Sequence, residues 1–172
     1  LYKFSSDGEL KETYETLTHG GMPGFLGVTA SSMGSDQSKV VYISELGNRI
    51  FQYDVIKNEQ ADDLITYEPE SGDLVIAITH STNGDFYSIK ANFRTGFSLC
   101  KHDPSSGSIS EQFELPGPGW ASLCIAMDGK SAYMGNFFNG TMGRFNLTNG
   151  EMIASAETNV ERSLAGIAQF IG

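Results

Sequence analysis

Ile50-Phe-Gln-Tyr-Asp-Val-Ile-Lys-Asn-Glu decides the fold of this chain, because its pattern occurs three more times. Each copy is a strand of alternating apolar and polar residues, then a turn rich in Gly, Asn or Asp, then a second strand, which is the signal of a β-hairpin. The aligned positions Phe4, Tyr53, His102 and Phe145 lie 49, 49 and 43 residues apart. The other copies are Leu1-Tyr-Lys-Phe-Ser-Ser-Asp-Gly-Glu-Leu, Ser98-Leu-Cys-Lys-His-Asp-Pro-Ser-Ser-Gly-Ser-Ile and Met142-Gly-Arg-Phe-Asn-Leu-Thr-Asn-Gly-Glu-Met.

Two further elements repeat in phase with these hairpins. The first is a short apolar run rich in small residues, which is typical of a strand buried on both faces. The second is a strand that carries an aromatic residue and follows three of the runs. The apolar runs are 24–30, 74–80, 120–126 and 164–170, and the aromatic strands are 40–45, 86–90 and 132–136.

Each repeat therefore contains a buried strand, an aromatic strand, an alternating strand and an outer polar strand, named a to d in that order. Four strands in about 45 residues predict an all-β fold made of β-propeller blades. We place full blades at about 24–67, 74–113 and 120–156, preceded by c and d strands in 1–15 and followed by an a strand in 164–171. The alternative is a β-sandwich of irregular hairpins.

These fifteen predicted strands make about 3.75 blades, whereas a closed propeller usually has about 4–8. We therefore expect a segment of a six- or seven-bladed propeller. The alternatives are that the two ends complete one blade together or that copies associate. Made alone, the chain is expected to self-associate unless further blades are supplied, because a missing blade leaves an apolar sheet face uncovered.

The composition is that of an acidic globular protein. Eleven basic and 21 acidic residues give a net charge of −10, which repels nucleic acid and anionic membranes. No apolar run reaches the length of a membrane span. Cys100 and Cys124 both lie in apolar strands, so we expect them to be buried free thiols. The triplets that begin at Asn139 and Asn146 fit N-glycosylation and favour a secreted protein over a cytoplasmic one.

Three groups of known propellers resemble these repeats. The stretch from Val41 to Asp54, with Gly-Asn-Arg-Ile at its turn, resembles an NHL-type blade. The stretch from Ala132 to Glu151 looks like a YVTN-type or streptogramin-lyase-type blade. The rhythm of Pro23-Gly-Phe-Leu-Gly-Val and Ser163-Leu-Ala-Gly-Ile-Ala is similar to that of SMP-30/gluconolactonase and strictosidine-synthase-like propellers.

The last of these resemblances implies an axial divalent metal, because the lactonase relatives bind one through a Glu and Asn or Asp residues. Where their Pro-Asn-Gly ligand turn would fall, this chain has Pro23-Gly24-Phe25 and Ser163-Leu164-Ala165, so no ligand can be carried over. Glu45 and Asn136, each at the end of a b strand, are the residues that could hold Ca²⁺. The alternative is that they cap a strand and satisfy loop amides.

The d–a and b–c loops of a propeller open on one face around the central channel, where ligands usually bind. Aromatic residues and a few convergent polar groups are typical of a small-molecule pocket. Phe137 and Phe138 are adjacent, so they cannot both point inward and at least one should be exposed. The predicted ligand-binding residues are His19, Glu45, Asn48, Asn92, Arg94, Trp120, Asn136, Phe137, Phe138 and Arg162.

The sequence favours a ligand-binding propeller that presents an axial pocket to a small molecule or a partner protein and needs no cofactor. One alternative is a lactonase-, strictosidine-synthase- or streptogramin-lyase-like enzyme that uses an axial metal such as Ca²⁺. Another is a structural repeat in a larger assembly. No Gly-x-Ser-x-Gly motif and no phosphate-binding glycine pattern occurs in the chain.

Overall fold

The chain folds into antiparallel β-sheets, as the repeats predict. The structure, a computed structural model, describes residues 1–16, 28–34, 37–44 and 47–169. Within these ranges there is one short 3₁₀ turn, Pro69–Ser71, no α-helix, and no helix that could span a membrane. The strands are β1 Tyr2–Phe4, β2 Leu10–Thr13, β3 Ala30–Met33, β4 Lys39–Ile43, β5 Arg49–Asp54, β6 Glu59–Gln60, β7 Ile65–Thr66, β8 Leu74–His80, β9 Phe86–Asn92, β10 Gly96–His102, β11 Ile109–Glu114, β12 Trp120–Ile125, β13 Ser131–Asn136, β14 Thr141–Asn146 and β15 Met152–Glu157.

Three of the sheets are four-strand meanders in which consecutive strands are hydrogen-bonded neighbours. Blade I has the order β3-β4-β5-β6, with β7 also paired to β5, blade II the order β8-β9-β10-β11, and blade III the order β12-β13-β14-β15. Strands β1 and β2 form a separate two-stranded hairpin. This is the strand order of propeller blades, and the fold class predicted from the sequence is confirmed.

The turn between the third and fourth strands of each blade is stabilised by an Asp or Asn side chain at one repeated position. In blade II the Asp103 carboxylate accepts hydrogen bonds from the backbone N–H groups of Ser105 and Ser106, at 3.0 and 2.8 Å. Gly107 then takes a φ of +72°, which a residue without a Cβ adopts at no steric cost. Asp54 and Asn146 cap the equivalent turns of the other two blades.

The core is divided into three layers, each between two consecutive sheets. The first packs Leu1 and Tyr14 beside the hairpin against Tyr42, Phe51 and Tyr53 of blade I. The second, layer I/II, lies between blades I and II. The third, layer II/III, lies between blades II and III and is the largest. The stacked sheets leave their inner strands β3, β8 and β12 side by side.

Two predicted inner strands are placed differently by the structure. The inner strand of blade I is Ala30–Met33, whereas the prediction put it at 24–30, of which 24–27 lie outside the described residues. Pairing with β4 sets this strand, with Ala30 opposite Ile43 and Met33 opposite Val40. Its two serines, Ser31 and Ser32, interrupt the apolar pattern that is typical of inner strands.

The predicted strand at 164–171 is also wrong over residues 164–169, which form no strand. This segment contacts blade III through side chains rather than through a backbone ladder. The Ser122 hydroxyl donates to the Leu164 carbonyl at 3.3 Å, and the Met127 N–H donates to Gln169 Oε1 at 2.9 Å. Its small apolar residues therefore predict its position beside the inner strands but not its backbone pairing.

Candidate functional site: an aromatic cavity along the inner strands

The inner strands of all three blades line one cavity of about 880 Å³. Residues from β3, β8 and β12 contribute its wall, and the segment Ala165–Gln169 closes the side next to blade III. The central channel of a propeller runs along its innermost strands, so this cavity occupies the axial position. Its volume is within the range of about 300–1,000 Å³ that is usual for small-molecule pockets.

Four phenylalanines gather at the end of the cavity that the b–c loops form. Phe93 and Phe97 belong to blade II and stand edge to face, with ring centroids 5.4 Å apart and an interplanar angle of 80°. Phe137 and Phe138 belong to blade III and make a similar pair at 6.2 Å and 60°. Phe93 is 59% exposed and Phe138 48% exposed, so the cavity opens through an accessible aromatic rim.

Trp120 forms the floor beneath this rim. It is almost fully buried in layer II/III, where its ring meets Phe145 edge to face at 5.0 Å, yet it also lines the cavity. Its indole N–H donates to the Pro116 carbonyl at 3.2 Å, which satisfies the ring's polar atom. Trp120 therefore packs between blades and faces the pocket, the two roles that sequence analysis considered separately.

A repeated Asn-Phe pair holds the rim loops of blades II and III in place. Asn136 Nδ2 donates to the Pro118 carbonyl at 2.9 Å, and its Oδ1 accepts from the N–H of Phe138 at 3.0 Å. Asn92, at the equivalent end of β9, donates to Asp73 and Ser71 and accepts from the N–H of Arg94. These two asparagines fix the loops that present Phe93 and Phe137.

Gly119 allows the Phe138 ring to lie over the loop that precedes blade III. Its φ is +101°, in the left-handed region that favours glycine. A Cβ at this position would lie 2.8 Å from a carbon of the Phe138 ring and 2.5 Å from Asn136 Oδ1. Any larger residue would displace the rim aromatic and the asparagine that holds it.

The predicted site residues divide into three groups. Trp120, Phe137 and Phe138 line the cavity, and Phe138 is the exposed member of the adjacent pair, as predicted. The polar residues do not reach it: Asn48 donates to the Tyr67 carbonyl at 2.7 Å, Asn92 and Asn136 hold loops, and Arg94 and Arg162 are exposed outside the lining. His19 and Glu45 lie outside the described residues.

For Asn136 the structure shows the strand-capping role that sequence analysis gave as the alternative to metal binding. Its carbonyl oxygen already accepts two backbone hydrogen bonds, from Phe138 and Asn139. Among the described residues no group of three or more His, Cys, Asp or Glu side chains could hold a metal ion.

Phe93, Phe97 and Cys124 line the cavity but were not among the predicted residues. A signal for Phe93 was present, because Asn92-Phe93 repeats the Asn136-Phe137 pair at the same point of the next blade. Both cysteines are free, as expected, but the predicted burial is confirmed only for Cys100 and is wrong for Cys124. Cys100 is buried, and burial raises its pKa to about 12, whereas Cys124 is only half-buried and faces the cavity.

Comparison with known proteins supports the fold and leaves the family open. No protein-family model matches the chain, and no curated protein sequence matches it. Among solved structures, hydrazine synthase from Kuenenia stuttgartiensis, which contains a β-propeller, aligns with a TM-score of 0.63 at 16% sequence identity. The alignment covers 90% of this chain and 42% of that chain, so this chain spans less than half of its relative. The likeness at this identity is one of fold, that of propeller blades.

Proposed function

We propose that this chain is a ligand-binding β-propeller that takes up a small molecule in its axial cavity. The observation that carries the proposal is the convergence of two aromatic pairs from two blades on one open cavity of about 880 Å³. A pocket lined mostly by apolar and aromatic side chains is the usual form of a small-molecule site. The sequence resembles gluconolactonase-type propellers, whose divalent metal binds on the axis, and an axial site agrees with this position.

The rim is held too firmly to be a flexible surface loop. Asparagine side-chain amides hold the b–c loops of blades II and III by hydrogen bonds. A backbone hydrogen bond of 2.8 Å also joins the Phe137 N–H to the Gly119 carbonyl. A site whose loops are ordered before binding loses less conformational entropy when the ligand arrives. We therefore expect the pocket to exist before it is filled.

A neutral fluorescent probe, N-phenyl-1-naphthylamine, tests the proposal. Trp120 is the only tryptophan of the chain and lines the cavity, so binding should quench its emission and enhance that of the probe. The probe should also protect Cys124 from labelling by monobromobimane, whereas Cys100 should stay unlabelled in the folded protein because it is buried.

The matched variants are Phe138→Ala and Ile56→Ala. Phe138→Ala should weaken probe binding about 2- to 12-fold, because an aromatic contact contributes about 0.5–1.5 kcal/mol beyond the area it buries. Ile56 is 77% exposed in a turn of blade I, outside the cavity lining, and its truncation should leave binding unchanged. Probe binding that neither quenches Trp120 nor protects Cys124 would show that the probe sits elsewhere and would refute the proposal.

A further inference from the structure

The described wall of the cavity carries no charged side chain although the chain is strongly acidic. None of its described lining residues is Asp, Glu, Lys, Arg or His, while the chain as a whole has a net charge of −10. A charged group buried without a partner of opposite charge loses most of its hydration free energy and gains no interaction in return. A ligand that enters this cavity far enough to lose its water therefore finds no ion pair to compensate for a charge.

Most polar side chains of the wall already donate hydrogen bonds to backbone carbonyls. The hydroxyls of Thr29, Thr79 and Ser122 donate to the carbonyls of Ile43, His80 and Leu164, at 3.4, 3.3 and 3.3 Å. The indole N–H of Trp120 is likewise bonded to a backbone carbonyl.

Two polar side chains of the described wall remain as donors to a ligand. The Ser31 hydroxyl and the amide nitrogen of Gln169 donate no hydrogen bond to another described group. Strands β3, β8 and β12 are also free edges of their sheets, so backbone N–H and C=O groups that point away from the sheet offer further hydrogen bonds.

The rings of the aromatic rim, unlike most of these polar side chains, are available to contact a ligand. Phe93 and Phe138 expose ring surface at the mouth, and each is braced edge to face by a second phenylalanine. Rings held in this way offer faces and edges to another aromatic system at little entropic cost, because both side chains are already ordered.

We infer that the ligand of this cavity is an uncharged, largely aromatic molecule, held between the aromatic pairs Phe93–Phe97 and Phe137–Phe138. The inference rests on the proposed function, because it names the ligand class of the same pocket. It excludes nucleotides, carboxylic acids and organic cations as ligands buried in this cavity.

The decisive experiment compares two probes that differ by one charge. N-phenyl-1-naphthylamine and 8-anilinonaphthalene-1-sulfonate share a ring system, and the second carries a sulfonate. With quenching of Trp120 and protection of Cys124 as readouts, the neutral probe should bind at least about tenfold more tightly at physiological salt, because the sulfonate must be desolvated without a partner. Repeating the titration at high salt separates this desolvation cost from repulsion by the net charge, since only the repulsion is screened.

Phenyltrimethylammonium tests the opposite sign of charge. The acidic chain attracts cations, and aromatic rings bind quaternary ammonium groups through their faces. The inference predicts that this cation protects Cys124 at least about tenfold less effectively than the neutral probe, because no carboxylate lies among the described lining residues.

The possible outcomes distinguish a failure of the inference about ligand charge from a failure of the proposed pocket. If no probe quenches Trp120 or protects Cys124, the proposed pocket is wrong. If the sulfonate or the cation binds as tightly as the neutral probe, the pocket stands and the inference of an uncharged ligand is overturned. Ile56→Ala controls for probe adsorbed on exposed apolar surface outside the cavity.

Discussion

Layers I/II and II/III occupy equivalent places in the repeat but are held together by different chemistry. Layer II/III is apolar and centres on Trp120 and Phe145, with ring centroids 5.0 Å apart. Layer I/II combines a smaller apolar cluster with the buried pair Ser88 and His102. The same backbone repeat thus tolerates two kinds of core, because the buried Ser88 and His102 satisfy each other's polar atoms.

The contrast is sharpest at one repeat position. Phe145 in blade III and His102 in blade II are equivalent in the sequence pattern, and both are almost completely buried. Both ring nitrogens of the buried His102 have hydrogen-bond partners. Nδ1 lies 2.9 Å from the Gly107 carbonyl, and Nε2 lies 2.8 Å from the Ser88 hydroxyl. The carbonyl requires Nδ1 to be the donor, so Nε2 accepts from Ser88.

Other polar groups in the region of layer I/II are less completely paired. The hydroxyl of Tyr67 is buried and has no hydrogen-bond partner within the described structure. Burial, with Cys100 and Asp73 nearby, raises the pKa of Tyr67. Lys90 and Asp73 form an ion pair at 3.8 Å at the edge of this region. Layer II/III likewise contains a tyrosine whose pKa burial raises, Tyr87, beside the Lys101–Asp85 ion pair, so the buried His102 is what distinguishes layer I/II near neutral pH.

The largest expected effect is in layer II/III. Phe145→Ala should lower the free energy of unfolding by about 3–5 kcal/mol, because it leaves a cavity against Trp120 in the largest apolar cluster. Urea denaturation followed by Trp120 fluorescence measures it. Met152→Ala, at an exposed position opposite Phe145, should change stability by less than about 0.5 kcal/mol. Equal losses in the two variants would mean that layer II/III does not dominate the stability.

A smaller loss is expected in layer I/II. Ser88→Ala leaves Nε2 of His102 buried without its donor, which should cost about 1–3 kcal/mol in the same urea experiment. Ser108→Ala removes an exposed hydroxyl from a nearby turn and should cost less than about 0.5 kcal/mol. The comparison of the two layers breaks down if Ser88→Ala is no more damaging than this control.

The smallest effect is a pH dependence confined to layer I/II. Burial lowers the pKa of His102 below its usual value near 6.5, since the imidazolium is disfavoured in the folded state. The unfolded chain then binds a proton that the folded chain does not, so stability is fully present above about pH 6.5 and falls as the pH decreases toward the folded-state pKa.

His102→Phe tests this pH dependence directly, because Phe stands at the equivalent position of blade III. The unfolding free energy of the wild type minus that of the variant should fall on going from pH 7.5 to pH 5.5, because only the wild type carries the buried imidazole. An NMR titration of the His102 ring gives an independent measure, and a ring pKa at or above 6.5 would contradict the assignment. His80 is present in both proteins and cancels in the difference.

Much of the fold could be predicted because its signals are local. Turn residues such as Asp103 and Gly107 act within five residues of chain, and strand alternation acts over six or seven. The two misplaced inner strands failed for the opposite reason. Their positions depend on hydrogen-bonded partners and on the cavity they border, so Ser31 is tolerated in β3 and the apolar segment 164–169 forms no strand.

The candidate site was predicted less completely than the fold. Trp120, Phe137 and Phe138 were found because large aromatics in loops are unusual and stand out in a sequence. The asparagines were read as ligand-binding groups, since a polar side chain at a strand end has the same appearance whether it faces a pocket or holds its own loop. Only the contacts of Asn92 and Asn136 in the folded chain assign them to the loops.

The sequence by itself determined the repeat, its period, the four-strand order and the absence of a catalytic nucleophile motif, because each of these is written in neighbouring residues. The tertiary structure decided which aromatics meet, which buried polar groups are paired, and that the described wall of the cavity carries no charge. Those properties arise between strands and between blades, from residues such as Ser88 and His102, 14 positions apart, or Ser122 and Leu164, 42 positions apart. Such distant residues are brought together by the stacking of sheets, and no local pattern specifies which of their side chains will touch.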